Sequence, residues 1–392
     1  MKQGVILKPG KEKSLLKRHP WVFSGAIADF PSIDNGDILP IFSATGHFLA
    51  QGYFHGQNSI AGRVLTFSDQ PIQEALSSSI DRAIALRQSL FTDDVTNCFR
   101  LINAEGDGIP GLVVDQYDRV LVIQINTCGI EKLKEQIVEM LIAKCQPEAI
   151  FEKSTSSSRR QEGLAERQGW IYGQHSSELI VRENGLKFYV SLEKGQKTGF
   201  FLDQREMRKK IGELSRGKRV LNCFSYSGGF SIYALHAGAS HVTSVDSSAE
   251  AVSLARRNTE LNQLDAERHT IVQADVFDFL RKTPDTYDLI ILDPPAFAKK
   301  RGDQNAACAG YKEINRIGFE LLKKSGSALP LLLTCSCSHF IDEDLFQNVV
   351  FQAAVDADCD AQILSKHSQA PDHPIALAHP EGAYLKSLLI TV

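Results

Sequence analysis

Two short motifs hold the residues in this 392-residue chain best suited to covalent chemistry. Thr334-Cys335-Ser336-Cys337-Ser338 follows the apolar run Leu329 to Leu333, and Asp293-Pro294-Pro295 closes another apolar run about forty residues earlier. A thiol at one strand end beside a carboxyl at another is what attack on a pyrimidine ring requires. C5 of cytosine is too electron-poor to take a methyl group directly, whereas a thiolate adding to C6 turns the ring into an enamine with a nucleophilic C5. A carboxyl held at N3 supplies the proton that makes C6 electrophilic. Packing is the competing account of either sulfur, because free cysteine is among the most buried residue types. The pair reads C-x-C and no second Cys/His pair lies at zinc spacing, so no metal site is expected.

The elements that must position these groups alternate from about residue 191 onward. Strands are expected at Arg219 to Asn222, His241 to Asp246, His269 to Gln273, Leu289 to Leu292 and Leu329 to Leu333. Helices are expected at Gly229 to Ala237, Ala249 to Leu261, Val276 to Arg281 and Lys312 to Lys323. Such alternation predicts an α/β domain, a mostly parallel sheet with helices on both faces. Gly382 to Val392 reads as the closing strand of a terminal antiparallel hairpin.

Upstream, the pattern from about 98 to 190 is strand-strand-helix-strand-strand. Its strands are Leu112 to Asp115, Val120 to Gln124, Ala149 to Phe151 and Leu186 to Val190, its helix spans Glu131 to Lys144, and Ser154 to Ser158 is expected to be a loop. Residues 1 to about 68 give short strands at Gly4 to Leu7, Ile38 to Phe42, Phe48 to Tyr53 and Ile60 to Phe67, which predicts a small barrel. Pro71 then opens a helix with Ile72, Leu76, Ile80, Ile84 and Leu90 on one face. The expected divisions are 1–70, 71–190 and 191–392, in keeping with two or three domains for this length.

Composition is that of an ordinary globular protein, 43% hydrophobic and 23% charged. No apolar run approaches bilayer length, and none follows Met1-Lys2-Gln3-Gly4-Val5 as a signal peptide would require. Eight cysteines without framework spacing fit a reducing compartment, so a cytoplasmic location is expected. A net charge of −4 means that a nucleic-acid partner must be held by local basic patches.

Val220 to Phe230 is a strand, a glycine-containing loop and a helix start, without the G-x-G-x-x-G dinucleotide fingerprint. Asp246, eighteen residues after Gly228, ends the next strand, where an acid can accept both hydroxyls of a ribose. Asp275 and Asp293 follow the two strands after that. Each alone is also explained as a helix cap; three at one sheet edge favour a nucleoside site.

The C-terminal half resembles a class I S-adenosylmethionine-dependent methyltransferase. Along nearly its full length the chain is similar to the RlmI family of cytosine-C5 methyltransferases of large-subunit ribosomal RNA. The matching stretches are Arg18 to Gly25, Glu105 to Leu112, Lys197 to Arg205, the loop around Gly228, Asp293 to Phe297, Ser336-Cys337-Ser338 and Pro380-Glu381-Gly382. The resemblance implies an RNA-binding PUA-type barrel (1–70), a linker helix with a central α/β domain (71–190) and a Rossmann-like methyltransferase domain (191–392).

It further implies Cys337 as nucleophile, with Cys335 left to packing, and Asp293 at N3 or the amino group of a flipped cytosine. Ser227 and Gly228 would pass the methionine part of the cofactor, Asp246 would hold the ribose and Asp275 the adenine. Phe224, Ser225, Ser247, Val276 and Asp293 would complete the pocket, and Gln204 and Arg205 would contribute to it. For Arg205 a salt-bridged helix start with Asp203 and Glu206 is the alternative. Some cytosine-C5 enzymes carry a second cysteine just after the motif's first proline. Here, as in the resembled family, that position is Pro295, so the base that takes the C5 proton is not identified; His339, Asp342 and His373 lie near in sequence.

For RNA, Lys17 and Arg18 belong to a basic-aromatic N-terminal stretch, with Trp21 read as core, and Lys299 and Lys300 directly follow the Asp293 loop. Arg159, Arg160 and Arg167 form another basic cluster. The expected cofactor is S-adenosylmethionine, leaving as S-adenosylhomocysteine, and the expected partner is large-subunit ribosomal RNA, with a homodimer left open. Competing readings are a ribosomal-RNA base-N-methyltransferase, for example of guanine, which needs no thiol, and a non-catalytic RNA-binding ribosome-assembly factor. A nicotinamide-dependent dehydrogenase is disfavoured by the missing glycine fingerprint.

Overall fold

The protein is described by a computed structural model covering residues 4–392 apart from Asp93 and Lys299. The chain divides into two compact units, one comprising Met1–Arg182, Val190–Asp203 and Pro371–Gly382, the other Glu183–Tyr189, Gln204–Ala370 and Ala383–Val392. No helix among the described residues is long and apolar enough to cross a membrane.

The first unit begins with β1 (Val5–Leu7), α1 (Lys13–Leu16), β2 (Trp21–Phe23), β3 (Ile27–Asp29), β4 (Ile38–Phe42), β5 (Phe48–Phe54) and β6 (Ile60–Thr66). These strands form one sheet in the order β2-β6-β5-β4-β1-β3 around Val5, Leu7, Val22, Ile41, Phe54 and Val64. Every antiparallel pairing in it carries a register shift. Such bulges bend short strands around a small core. β2 and β3, three residues each, are too short to show alternation and were not expected from the sequence.

α2 (Ile72–Leu90) follows, with Pro71 at its N-cap. Its buried stripe is Ala75, Leu76, Ser79, Ile80, Ala83 and Arg87, while Leu90 points outward. Arg87 is buried because Asp107 takes two of its N–H groups at 2.7 and 2.8 Å. The central sheet comprises β7 (Cys98–Asn103), β8 (Leu112–Tyr117), β9 (Val120–Ile125), β10 (Ala149–Ser154) and β11 (Arg167–Tyr172) in the order β11-β10-β9-β8-β7. The expected single helix between β9 and β10 is broken at Leu133 into α3 (Cys128–Lys132) and α4 (Lys134–Cys145). The expected serine loop instead ends β10 and starts α5 (Ser157–Gln161), because Ser156 accepts from the Arg159 N–H and caps it.

Barrel and central sheet share one apolar cluster that includes Tyr53, Leu65, Ile80, Leu112 and Ile137, and the Tyr53 hydroxyl donates to Pro110 O at 2.8 Å. His55, Cys128 and Glu162 bring potential metal ligands within 4.8 Å of one another. Glu162 is already held there by Arg63 at 2.9 Å and Asn58 at 3.0 Å, which makes the trio a polar tie within the unit. β12 (Glu178–Glu183) and β13 (Leu186–Ser191) make a two-stranded ribbon.

The second unit runs α6 (Arg205–Leu214), β14 (Arg219–Cys223), α7 (Gly229–His236), β15 (His241–Asp246), α8 (Ala249–Leu261), β16 (His269–Gln273), α9 (Val276–Lys282) and β17 (Leu289–Leu292). It continues with α10 (Gln304–Leu322), β18 (Leu331–Ser336), α11 (Glu343–Asp356), β19 (Gln362–His367) and β20 (Lys386–Thr391). The sheet order is β16-β15-β14-β17-β18-β20-β19, parallel as far as β18 and antiparallel for β20 and β19. Alternate strand residues feed two cores: Leu221, Ile290, Leu332 and Leu388 pack with α9, α10 and α11, and Val220, Ile291, Leu333 and Leu389 with α6 and α7. Strand order reverses between β14 and β17, and in open α/β sheets ligands bind outside the carboxyl ends at such a switch point.

Several expected boundaries shift, and the closing strand expected from Gly382 starts at Lys386. β18 lies two residues later than Leu329 to Leu333, since Leu329 is exposed and Pro330 has no N–H for the ladder. α10 begins at Gln304 rather than Lys312.

Candidate functional site

The loop after β14 passes through left-handed backbone at Phe224 (φ 57°), Tyr226 (φ 45°) and Gly228 (φ 76°). Two non-glycine residues in that region within three positions are costly and mark a shape fixed by its surroundings. Here the Ser225 N–H donates to Val245 O at 3.1 Å, the Tyr226 N–H to Asp246 Oδ2 at 2.9 Å and the Asn258 amide to Ser227 O at 2.9 Å. A Cβ on Gly228 would stand 3.1 Å from that of Ala255, so glycine is needed for close approach to α8 as well as for its φ.

Asp246 ends β15 with both oxygens engaged, the second accepting from the Ser248 N–H at 2.9 Å. This holds the carboxylate fixed while leaving lone pairs for a ligand's hydroxyls. Ser247 beside it is exposed, and its carbonyl accepts from the Gln273 amide. Asp275 is an exposed N-cap of α9, accepting from the Asp278 N–H at 3.0 Å, with Val276 buried behind it. A groove of about 430 Å³ opens beside it, lined by Ala274, Asp275, Asp278 and Phe279 among others.

β17 and β18 are parallel neighbours with Leu292 opposite Thr334, so Asp293 and the Cys335–Cys337 segment leave the sheet side by side. Gln204 donates to Asp293 Oδ1 at 3.1 Å. Cys335 is fully buried, and burial together with the nearby Asp293 pushes its thiol well up. Cys337 is half-buried, at the point where the chain turns out of the sheet.

The Cys337 flanks are clamped from α10. Ser336 Oγ and Ser338 Oγ each lie 3.0 Å from the Tyr311 hydroxyl, and the Ala298 N–H also donates to Ser338 Oγ. Lys386 Nζ donates to Ser338 O at 2.8 Å. Phe297, with its centroid 4.7 Å from Tyr311 and 6.4 Å from Phe224, joins the two halves of the site by an aromatic wall.

The structure therefore brings together Phe224, Ser225, Ser227, Gly228, Asp246, Asp293, Gln204 and Cys337 at one end of one sheet. Arg205 is 1% exposed with Nε 3.5 Å from Glu183, whose two oxygens also take Arg208 at 2.7 and 2.6 Å. Asp203 pairs with Lys197 at 2.8 Å. His339 is exposed, Asp342 caps α11 through the Leu345 N–H, and His373 belongs to the first unit, buried against Asp372. Tyr311, Phe297 and Lys386 gave no local signal as a set, lying on separate elements.

Of the basic residues, Lys17 and Arg18 are exposed in the first unit, with Arg18 over the Phe67 ring at 4.9 Å. Lys300 is exposed, and Lys299 lies outside the described residues. Arg159 is not a surface cation: it is 1% exposed and pairs with Glu131 at 2.7 Å. Trp21 is part-buried rather than core, donating to Glu105 at 2.9 Å and packing on His379.

The pocket suits a polar nucleoside ligand with an amino-acid tail. Ser225 Oγ and Gln204 Oε1 are buried among described residues without a hydrogen-bond partner, and such atoms are uncommon unless a ligand or water completes them.

Comparison with known proteins agrees. The family model for S-adenosylmethionine-dependent methyltransferases matches residues 158–380, and that for PUA-like domains residues 5–67. A Shewanella amazonensis protein named ribosomal RNA large subunit methyltransferase I is 42% identical, covering 99% of both chains. Its Aeromonas hydrophila namesake is 44% identical over 100% of this chain and 99% of that one. Among solved structures, a chain named as a SAM-dependent methyltransferase from Streptococcus mutans superposes with a TM-score of 0.84 at 25% identity, covering 99% of this chain and 100% of that one. A methyltransferase solved in complex with SAH gives 0.85 at 25% identity, with the same coverage. The chain belongs to the S-adenosylmethionine-dependent methyltransferases, in the family named ribosomal RNA large subunit methyltransferase I.

Proposed function

We propose that this methyltransferase modifies C5 of a cytosine in large-subunit ribosomal RNA through a covalent bond between Cys337 and C6. The observation that carries the reading is the pairing of a half-buried thiol at the end of β18 with a carboxyl at the end of neighbouring β17. A methyltransferase acting on a base nitrogen has no use for that thiol.

Ser225, Ser227 and Gly228 would hold the methionine part of the cofactor, Asp246 its ribose and Asp275 its adenine, with Phe224, Ser247 and Val276 around them. Arg205 would support that pocket from its buried place beside Glu183. When bound, S-adenosylmethionine supplies a methyl group on a sulfonium, which a carbon nucleophile can take. Exposed Lys17, Arg18 and Lys300 would meet phosphates. Lys299 belongs to the same proposed set, and the target base must be unstacked to enter.

Cys337 thiolate adds to C6. The C5–C6 π pair moves through C4 to N3, and N3 takes a proton from the Asp293 carboxyl. The sulfur–carbon bond leaves C5 nucleophilic. After methylation C5 gives its proton to a base, the C5–C6 double bond re-forms, and the carbon–sulfur pair returns to Cys337 as thiolate. N3 gives its proton back to Asp293. Gln204, bonded to Asp293 Oδ1, aims the other carboxyl oxygen at the base.

Cys337→Ala should bind S-adenosylhomocysteine as the parent does while methylation falls by about three orders of magnitude or more, as for loss of a covalent nucleophile. Mass spectrometry of digested RNA should locate the parent enzyme's methyl group on C5 of cytidine. A methyl on a ring or exocyclic nitrogen, or an active Cys337→Ala, rejects the reading.

A further inference from the structure

Covalent attack needs Cys337 ionised, and an unperturbed cysteine is mostly protonated at neutral pH. β20 runs antiparallel to β18 and sets Lys386 opposite Ser336, the last residue of β18. From there its Nζ reaches along the strand to donate to Ser338 O at 2.8 Å. The ammonium is thereby anchored one peptide away from Cys337, where the chain turns out of the sheet. We propose that Lys386 is the counter-ion that holds Cys337 as a thiolate, an inference that rests on the covalent role of Cys337.

The other groups around this point make a cation necessary. Asp293 stands at the end of β17, near Cys335, and Asp342 faces Lys386 from the N-cap of α11. Asp342, and Asp293 whenever it is ionised, oppose a negative sulfur. Tyr311, from α10, has its phenol pushed up by burial, and Cys335, on β18, is pushed up likewise, so both stay neutral. His339, two residues on, is exposed. Lys386 is itself partly withdrawn from water, and burial lowers its pKa, against which Cys337 and then Asp342 act in favour of the charged form.

A neutral amide would satisfy the Ser338 carbonyl as well. Burying an ammonium for that purpose alone carries a desolvation cost that an amide avoids. A thiolate beside it offsets that cost and explains the choice of lysine. In the step itself only the S–H bond breaks: its proton goes to water, its electron pair stays on sulfur, and the ammonium keeps its protons. When the carbon–sulfur bond later cleaves, the same positive charge receives the departing thiolate. Lys386 is a positioning residue, acting on the nucleophile rather than on the base.

The test is the pH dependence of iodoacetamide alkylation in the full-length protein, with the Cys337 peptide followed by mass spectrometry and Cys308 and Cys359 as internal references. Lys386→Gln keeps a donor for Ser338 O and removes the charge. It should raise the alkylation midpoint of Cys337 by about one pH unit or more, slowing alkylation at pH 7 about tenfold, as expected for loss of a neighbouring opposite charge. Lys386→Arg should keep the parent midpoint, and the reference cysteines should not move.

Should the glutamine variant not fold, Lys386→Met carries the same expectation. A Cys337 midpoint unchanged in the uncharged variant, or raised equally in Lys386→Arg, overturns the proposal. Methylation by Cys337→Ala, assayed alongside, addresses the covalent reading separately: activity there would sink that reading whatever the thiol titration shows.

Discussion

Asp293 owes its orientation to a residue 89 positions away. Gln204 gives one amide N–H to Asp293 Oδ1 at 3.1 Å, and its own carbonyl is buried without a partner among the described residues. The amide therefore cannot turn over without pointing an acceptor at an acceptor. Gln204→Leu should leave the fold in place and lower the single-turnover methylation rate about tenfold, as for losing one hydrogen bond that orients the carboxyl. Binding of S-adenosylhomocysteine should change much less. Rapid-quench kinetics with calorimetric titration separates the two, and an equal fall in both would make Gln204 a cofactor ligand instead. Tyr311 has a comparable part on the other side, since one hydroxyl bridges the serines that flank Cys337.

At the scale of elements, the loop between β14 and α7 is the part of the site most sensitive to a single atom. Gly228→Ala adds a methyl group 3.1 Å from the Ala255 Cβ in a backbone region that costs an L-residue about 1–2 kcal/mol. It should weaken S-adenosylhomocysteine binding at least tenfold and lower the melting temperature by a few degrees; titration calorimetry and thermal unfolding would show both. Unchanged affinity would mean that the loop does not shape the pocket.

This loop was legible in the sequence because a glycine, a strand and an acid at the next strand end lie within thirty residues. β15 and β17 were legible because buried parallel strands are near-continuous apolar or β-branched runs, and the half-exposed edge strand β16 was legible through Thr270, Ile271 and Val272. α6 was legible only as a helix start near Arg205, because only Met207 and Ile211 mark its buried face by hydrophobicity. Arg205 and Arg208 share that face by neutralising Glu183 from another element. β18 ran past its apolar run into Thr334, Cys335 and Ser336, polar or small residues kept in the strand by pairing with β20. α11 was legible and missed: Phe346, Val349, Val350 and Ala353 repeat at helical spacing behind an Asp342 cap. Tyr311 and Lys386 could not be read at all, and Gln204 was reached only through the family resemblance, since each meets the site through tertiary contact alone.

At the scale of the whole molecule, buried imidazoles make stability depend on pH in the mildly acid range. In the second unit a one-way chain of hydrogen bonds runs from the Asn222 amide to Ser231, Ser244, His269 and Thr259, ending on Ala255 O. Thr259 donates to that carbonyl, so it accepts from His269 Nδ1–H, and Nε2 accepts from Ser244. A second proton on the ring would have no acceptor. Burial brings the His269 pKa down to about 4, with His241 and Arg256 adding to the effect. In the first unit His373 and His379 are also lowered, chiefly by burial.

For each of these the unfolded chain binds the proton first, so their contribution is complete above the ordinary histidine range near 6.5 and is lost as pH falls below it. For His269 the loss extends to about pH 4 and amounts to about 3 kcal/mol, a large part of an ordinary domain's stability. Urea unfolding should therefore give the same midpoint at pH 7.5 and 7.0 and a clearly lower one at pH 5. His269→Gln should start lower at pH 7.5, having lost a link of the chain, and then fall less steeply. Parallel curves for parent and variant would show that the imidazole is protonated in the folded protein and that the chain is wired in some other direction. The chain spans β14, α7, β15, α8 and β16, the elements that carry Gly228 and Asp246. Cofactor affinity should consequently decline over the same acid range in the parent and more shallowly in the variant.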